Sequence, residues 1–272
     1  MAAVSERRGS VDGIETRWLE APVEGSHAPV LYVHGVPTAG WEWRPFLERT
    51  GGYAPDLPGF GDSAKLASFD YSIAGYGRWL RAFADQRGLE RFSLVVHDWG
   101  AVGLALAQAA PERIERLAIA CAVPFFEDYR WHFVARQWRR PLLGELAMGF
   151  TFKGSMRAVL NRSNRDPLPR EFVDSTWDHF DHGTQRAILK LYRSAPSDVL
   201  GAAGRDLGKL DCPALVLYGD ADPFLPTWAA QRYADAIGPG ATARILEGAG
   251  HWPWHDDPSV VDRIAGFVTA KT

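Results

Sequence analysis

Four short apolar runs rich in β-branched residues punctuate this chain, and helical stretches lie between them. The runs are Pro29 to His34 (PVLYVH), Arg91 to His97 (RFSLVVH), Arg116 to Val123 (RLAIACAV) and Pro213 to Tyr218 (PALVLY). Between the first three, Ser72 to Arg87 and Gly100 to Ala110 place apolar side chains at three- and four-residue spacing, which is the period of an amphipathic helix. Strand, helix, strand in this order builds a parallel sheet covered by helices, joined by right-handed crossovers. Ala241 to Leu246 reads as a last strand, and Pro258 to Ala270 as a last amphipathic helix.

The pattern changes between Pro124 and about Leu207. No strand-like run occurs there, and Trp, Arg and Phe recur at helical spacing, interrupted by proline, glycine and asparagine. The expected helices are Glu127 to Arg139, Leu142 to Phe150, Phe152 to Leu160, Pro169 to Phe180 and Gln185 to Arg193. The chain is thus divided into a core of residues 1–123 and 208–272 and a helical insertion, 124–207, of roughly eighty residues. At 272 residues there is ample chain for a large core.

Composition removes several functions. Thirty Lys+Arg against thirty-three Asp+Glu give a net charge of −3, so no basic field exists to hold a nucleic-acid backbone. Two cysteines, Cys121 and Cys212, are too few for a disulfide framework or a Cys-based zinc site, and both lie in apolar runs as structural residues do. The N-terminal MAAVSERRGSVDG has no apolar stretch of the signal-peptide kind, and no run approaches the ~18 apolar residues of a membrane span. The expected location is the cytoplasm, with no membrane partner.

The sharpest chemical signal is Val95-Val96-His97-Asp98-Trp99-Gly100-Ala101, where a strand meets an Ala- and Leu-rich helix across almost no loop. A side chain at such a corner is held out of the sheet, and the corner needs small neighbours; Gly100 supplies one, while Val96 stands where a small residue is usual. This strand-turn-helix nucleophile elbow resembles that of the α/β-hydrolase superfamily, and HDWG, with aspartate at the nucleophile position, resembles its epoxide hydrolase and haloalkane dehalogenase branches. The resemblance covers nearly the whole chain. It implies an eight-stranded, mostly parallel α/β-hydrolase core with a helical cap, an active site between them, and no cofactor or metal.

Three more segments fall where that resemblance requires them. His34-Gly35-Val36-Pro37 resembles the HGxP turn, so the backbone N–H groups of Val36 and Trp99 are the implied oxyanion donors. Gly219-Asp220-Ala221-Asp222-Pro223 offers two carboxylates; the family pattern puts the orienting acid at Asp222, with Asp220 a close competitor that otherwise caps the turn. Gly248-Ala249-Gly250-His251 follows the last strand, and its glycines allow a tight loop to bring an imidazole back over the sheet edge. Asp98, Asp222 and His251 then follow the family order of nucleophile, acid and base. Asp56 to Ser63 (DLPGFGDS) resembles the DxxGxGxS loop. His34, His97 and most of the eleven tryptophans, including Trp79 and Trp228, read as packing residues.

The residue type at the elbow selects the chemistry. A serine must lose a proton before it attacks, whereas an aspartate of ordinary pKa ~3.9 is already an anion. Its attack on a saturated carbon leaves a stable alkyl ester, which His251, oriented by Asp222, opens by activating water. The substrate expected is a small apolar electrophile, with water as second reactant. An epoxide yields an alkoxide that needs a proton, so its site needs an acidic O–H from the cap; Leu191-Tyr192-Arg193 resembles the segment carrying one ring-opening tyrosine of epoxide hydrolases. The second donor stays open among Tyr129, Trp131 and His132. A halide needs N–H donors instead: Trp99 offers an indole, Trp131, Trp138 and Trp177 are further candidates, and Val36 stands where many dehalogenases have asparagine. Fluoroacetate dehalogenases carry arginine after the nucleophile, where this chain has Trp99. Epoxide hydrolysis is the leading expectation, haloalkane dehalogenation the alternative, and a non-catalytic ligand-binding homologue the third; the chain is expected to be a monomer or homodimer.

Overall fold

A computed structural model describes residues 2–270. Its eight strands are β1 (Ser5–Val11), β2 (Ile14–Ala21), β3 (Val30–Val33), β4 (Gly52–Pro55), β5 (Phe92–Asp98), β6 (Ile114–Ala122), β7 (Ala214–Gly219) and β8 (Ala241–Leu246). They form one sheet in the order β1-β2-β4-β3-β5-β6-β7-β8. The β1–β2 and β2–β4 pairs are antiparallel, and every pair from β4 to β8 is parallel. The four apolar runs of the sequence are β3, β5, β6 and β7, and all residues of β3, β5 and β7 are buried, because helices cover both faces there. β8, at the sheet edge, is mostly half-exposed or exposed.

The helices are α1 (Arg44–Thr50), α2 (Ile73–Gln86), α3 (Gly103–Ala109), α4 (Phe133–Trp138), α5 (Leu143–Gly149), α6 (Lys153–Leu160), α7 (Arg170–Asp178), α8 (His182–Ser194), α9 (Ser197–Ala203), α10 (Trp228–Ile237), α11 (Pro253–Asp256) and α12 (Ser259–Val268). Among the described residues none is long and apolar enough to cross a membrane. Helix α2 begins where Ser72 accepts a hydrogen bond from the Gly75 N–H at 3.0 Å, and the chain leaves it through Gly88 in the left-handed region at φ 67°. Its buried face carries Tyr76, Trp79, Leu80 and Phe83; full burial of side chains this large contributes about 1.5–3 kcal/mol each.

The antiparallel hairpin β1–β2 was not expected from the sequence. Its strands are largely polar on the exposed side, but Asp12 and Gly13 sit at φ 49° and 75°, the two-residue turn that Asp-Gly favours. Between β6 and β7 the chain is entirely helical or irregular, as expected, and carries α4 to α9. The first of these is much shorter than Glu127 to Arg139: only Phe133–Trp138 is helical, because His132 adopts an extended conformation and caps the helix, its ring accepting from the Ala135 N–H. Trp228 is also corrected. It opens α10 half-exposed, with Arg232 over its ring, while Trp79 is buried as expected.

Helix α8 fixes the insertion over the sheet. Asp181 caps it, accepting from Thr184 N at 2.9 Å, and pairs with Lys65 at 2.7 Å. The Thr184 hydroxyl donates to the Gly59 carbonyl at 3.0 Å, and a side chain at Gly59 would lie 2.6 Å from Ala187 Cβ. The DLPGFGDS loop is therefore a seat for α8, and Tyr192, two residues before the end of that helix, is delivered above the end of β5.

Candidate active site

Asp98 ends β5 at φ 48° and ψ −121°, a conformation that costs a non-glycine residue about 1–3 kcal/mol. The neighbours enforce it. A Cβ on Gly100 would come 2.1 Å from the Val33 carbonyl oxygen, and one on Gly35 would come 2.5 Å from Asp98 Cβ. Val96, bulkier than the position usually holds, finds room because residue 103 is glycine: a Cβ there would lie 3.1 Å from Val96 Cγ1.

The carboxylate so presented is buried. Its Oδ2 accepts the Val36 backbone N–H at 2.8 Å, and the Trp99 backbone N–H lies near enough to the carboxyl to lower its pKa. Its Oδ1 lies 3.8 Å from His251 Nε2. The other ring nitrogen, Nδ1, is 2.8 Å from Asp222 Oδ2. Asp222 Oδ1 is held in turn by the Phe224 and Leu225 N–H groups at 2.8 and 3.2 Å. Asp220 does not reach the imidazole; it is exposed and accepts the Gly248 N–H at 2.7 Å, tying down the loop that carries His251. Sequence reasoning left these two carboxylates in competition, and position alone separates them.

Burial pushes the Asp98 carboxyl above its ordinary range, against the pull of His251, His97 and the two backbone N–H groups. Burial acts on His251 in the opposite sense, but the Asp222 and Asp98 charges outweigh it and hold the imidazole above its ordinary range. The two groups, each raised, face one another across 3.8 Å.

A cavity of about 260 Å³ opens over Asp98 and His251, walled by the insertion helices. Its wall includes Val36, His132, Trp138, Met156, Ile188, Tyr192, Phe224 and Trp252, and no Lys or Arg. Tyr192 is buried in an aromatic box, with the rings of Trp99, Trp131 and Trp138 at 5.1, 5.0 and 5.1 Å. Burial and the Asp98 charge push its phenol well above the usual range, so it stays protonated.

The three residues left open for a second donor separate clearly. The Trp131 indole N–H is used on the Ala195 carbonyl at 3.3 Å. The Tyr129 hydroxyl is buried without a hydrogen-bond partner among the described residues, but the residue is not in the wall of this cavity; it lines a neighbouring, more open cleft together with His132 and Asp222. His132 lines the cavity itself. Burial, and secondarily His251, push its pKa down to about 4, so it is neutral, and its Nδ1 accepts from Ala135 N at 3.4 Å. The ring proton therefore sits on Nε2. Of the halide candidates, Trp138 is part of the cavity wall, while Trp177 is not and stacks on Phe180, which is. The Trp99 indole N–H lies close to the Tyr192 hydroxyl without reaching hydrogen-bond geometry, and has no other partner.

Both structural histidines are engaged as expected. His34 Nε2 accepts the Leu57 N–H at 2.9 Å and Nδ1 donates to the Gly35 carbonyl at 2.8 Å, while His97 Nε2 lies 2.9 Å from the His251 carbonyl oxygen. Both cysteines are free and buried. Two buried carboxylates escaped the sequence reading. Asp256 takes the Gly250 N–H and the Asn164 side-chain amide, 2.7 and 2.8 Å, anchoring the His251 loop. Glu42 lies beneath the elbow; a charged residue between two tryptophans in Trp41-Glu42-Trp43 was the only local sign that this position is special.

Comparison with known proteins agrees with this architecture. Residues 30–264 match the alpha/beta hydrolase family, and the chain belongs to it. Within it the chain is of the haloalkane dehalogenase and epoxide hydrolase-like kind, a hydrolase. It is 30% identical to a haloalkane dehalogenase of Mycolicibacterium paratuberculosis over 92% of this chain and 86% of the relative. It is 28% identical to epoxide hydrolase 2 of Caenorhabditis elegans over 89% of this chain and 73% of that one. The crystal structure of the haloalkane dehalogenase DbeA from Bradyrhizobium elkani superposes with a TM-score of 0.82, covering 98% of both chains at 24% identity, which is a likeness of fold.

Proposed function

We propose that this protein opens a neutral, apolar epoxide to a vicinal diol through an alkyl ester on Asp98, with residues 124–207 acting as the cap that closes the site. The observation that carries the reading is the pair of neutral donors in the cavity wall, the Tyr192 O–H and the His132 Nε2–H, above an anionic carboxylate. An epoxide oxygen needs a donor that can also surrender a proton, which the phenol supplies, and a second hydrogen bond to the same oxygen, which the imidazole N–H supplies. Because the wall holds no Lys or Arg, substrates with a carboxylate or phosphate find no counter-charge there.

Asp98 Oδ2 is held by the Val36 backbone N–H, so Oδ1 is the attacking oxygen. It displaces the epoxide oxygen from carbon; the Tyr192 hydroxyl gives its proton to the alkoxide, and the His132 Nε2–H donates a hydrogen bond to the same oxygen. In the second half-reaction a water between His251 and the ester adds to the Asp98 carboxyl carbon while His251 Nε2 takes its proton. Negative charge then collects on Oδ2, which the Val36 N–H already meets, with the Trp99 N–H the second donor of the proposed oxyanion hole. Collapse expels Oδ1 with the product carbon, the imidazolium returns its proton to that oxygen, and the proton left on the regenerated Asp98 carboxyl restores the Tyr192 phenol. Esterification also removes the Asp98 charge that helps to raise His251, so the imidazole is a readier base at the step that needs one.

Haloalkane dehalogenation is the second reading, favoured by the 30% identical relative and by the unpaired Trp99 indole N–H. Against it, Val36 has no side-chain donor and Trp131 spends its indole on Ala195. Incubation with styrene oxide and, in parallel, 1-bromobutane separates the two. We expect diol from the first and little bromide from the second; bromide without diol reverses the assignment.

A further inference from the structure

Glu42 is a buried acid that the chemistry above does not use. Its side chain is wholly inaccessible, on a short helical turn, Gly40–Trp43, between the oxyanion segment and α1. One oxygen, Oε1, takes the Gly35 N–H at 3.4 Å and lies 3.5 Å from His97 Nδ1. The other, Oε2, takes the Trp252 indole N–H at 3.2 Å. Gly35 precedes the oxyanion donor Val36, His97 precedes the nucleophile, and Trp252 follows the base.

The His251 carbonyl can only accept, so His97 Nε2 carries a hydrogen and donates to it. His97 Nδ1, 3.5 Å from Oε1, completes no other hydrogen bond, so Glu42 is the polar group that faces it. His97, His34 and the Thr38 hydroxyl more than offset the burial that would push Glu42 up, and hold it below the ordinary carboxylate range.

We propose that Glu42 is a positioning residue that locks the oxyanion turn, the nucleophile strand and the His251 loop in one register through Gly35, His97 and Trp252. The consequence for the reaction rests on the ester mechanism proposed above. Ester formation needs Asp98, which the strained elbow presents without help from Glu42. Ester hydrolysis needs His251 and the Val36 N–H to stay aligned on one carbon, and that alignment passes through Glu42. Glutamine at 42 keeps the shape but has one acceptor oxygen, so either Gly35 N–H or the Trp252 indole is left facing an amide N–H.

Two variants, Glu42→Gln and Trp252→Phe, test this with two readouts. In the free enzyme, amide hydrogen exchange at Val36, His251 and Trp252 should quicken in both, with the exchange of the β6 and β7 amides unchanged. In rapid-quench experiments, ester hydrolysis should slow by about 10- to 100-fold in Glu42→Gln while ester formation changes by less than about 3-fold, as for a misplaced but intact base. Unchanged exchange at the three amides in both variants overturns the proposal without recourse to any substrate. Faster exchange with ester hydrolysis at the parental rate also overturns it, since Glu42 would then only stabilise the fold. Should no substrate esterify Asp98, the mechanism fails, and the exchange data still decide whether Glu42 holds the three segments.

Discussion

Replacing His251 by alanine should stop the enzyme halfway, with the substrate left covalently on Asp98. Unlike a serine hydroxyl, the carboxylate does not hand a proton to the imidazole in order to attack, so the first half-reaction survives. The second does not: within this site the ring 3.8 Å from Asp98 Oδ1, braced by Asp222 at 2.8 Å, is the base placed to activate water at the ester carbon. Loss of a positioned general base lowers the hydrolysis rate by roughly 10²–10⁴-fold. Intact mass spectrometry of His251→Ala after incubation with styrene oxide should show the protein heavier by one substrate, and digestion should place the addition on the peptide containing Asp98. The experiment is best run above neutral pH. His251 is one of the groups that pull Asp98 down against burial, so its removal raises the carboxyl further, and alkaline solution keeps the nucleophile ionised. Unmodified protein accompanied by normal turnover would contradict the assignment of the base.

The second large effect concerns the cap. Tyr192→Phe removes one oxygen and keeps the ring packed among Trp99, Trp131 and Trp138. The alkoxide from epoxide opening then has only His132 to meet it, and we expect ester formation from styrene oxide to fall by roughly 10²–10⁴-fold. A bromide leaves without a proton, so any residual 1-bromobutane displacement should change by only a few-fold. Equal losses on both substrates would assign Tyr192 to packing alone. A loss confined to bromide release would indicate a halide site beside the Trp99 indole.

How much of this was legible in the sequence depends on how local the determinants are. The elbow announces itself because its geometry is enforced nearby, by Gly100 against Val33 and by the abrupt join of β5 to the following helix. The His251 loop is legible for the same reason, since Gly248 must adopt φ 68° and a side chain on Gly250 would strike the Ser163 carbonyl at 2.2 Å. Asp220 and Asp222 are not separable by local rules, because both precede a turn and both accept backbone N–H groups; only the third dimension gives one of them the imidazole. Glu42 is less legible still. One of its partners, Trp252, is 210 residues away in the chain, and nothing in Trp41-Glu42-Trp43 foretells it. The second proton donor stayed open for a smaller reason. Whether Tyr129 or His132 faces the cavity depends on where the helix after β6 begins, and it begins at Phe133, later than apolar spacing suggested. The β1–β2 hairpin carried a readable Asp12-Gly13 signal that the polar strands around it masked.

The central claim is that an oxygen of the Asp98 side chain departs in the product and is replaced from water. A single turnover with excess enzyme in heavy-oxygen water measures it directly, followed by digestion and mass analysis of the peptide containing Asp98. The account predicts label in that peptide and unlabelled product, with the label passing into product when the recovered enzyme turns over once more in ordinary water. Label found at once in the product, with none in the Asp98 peptide, would mean that water attacks the substrate directly and would contradict the account.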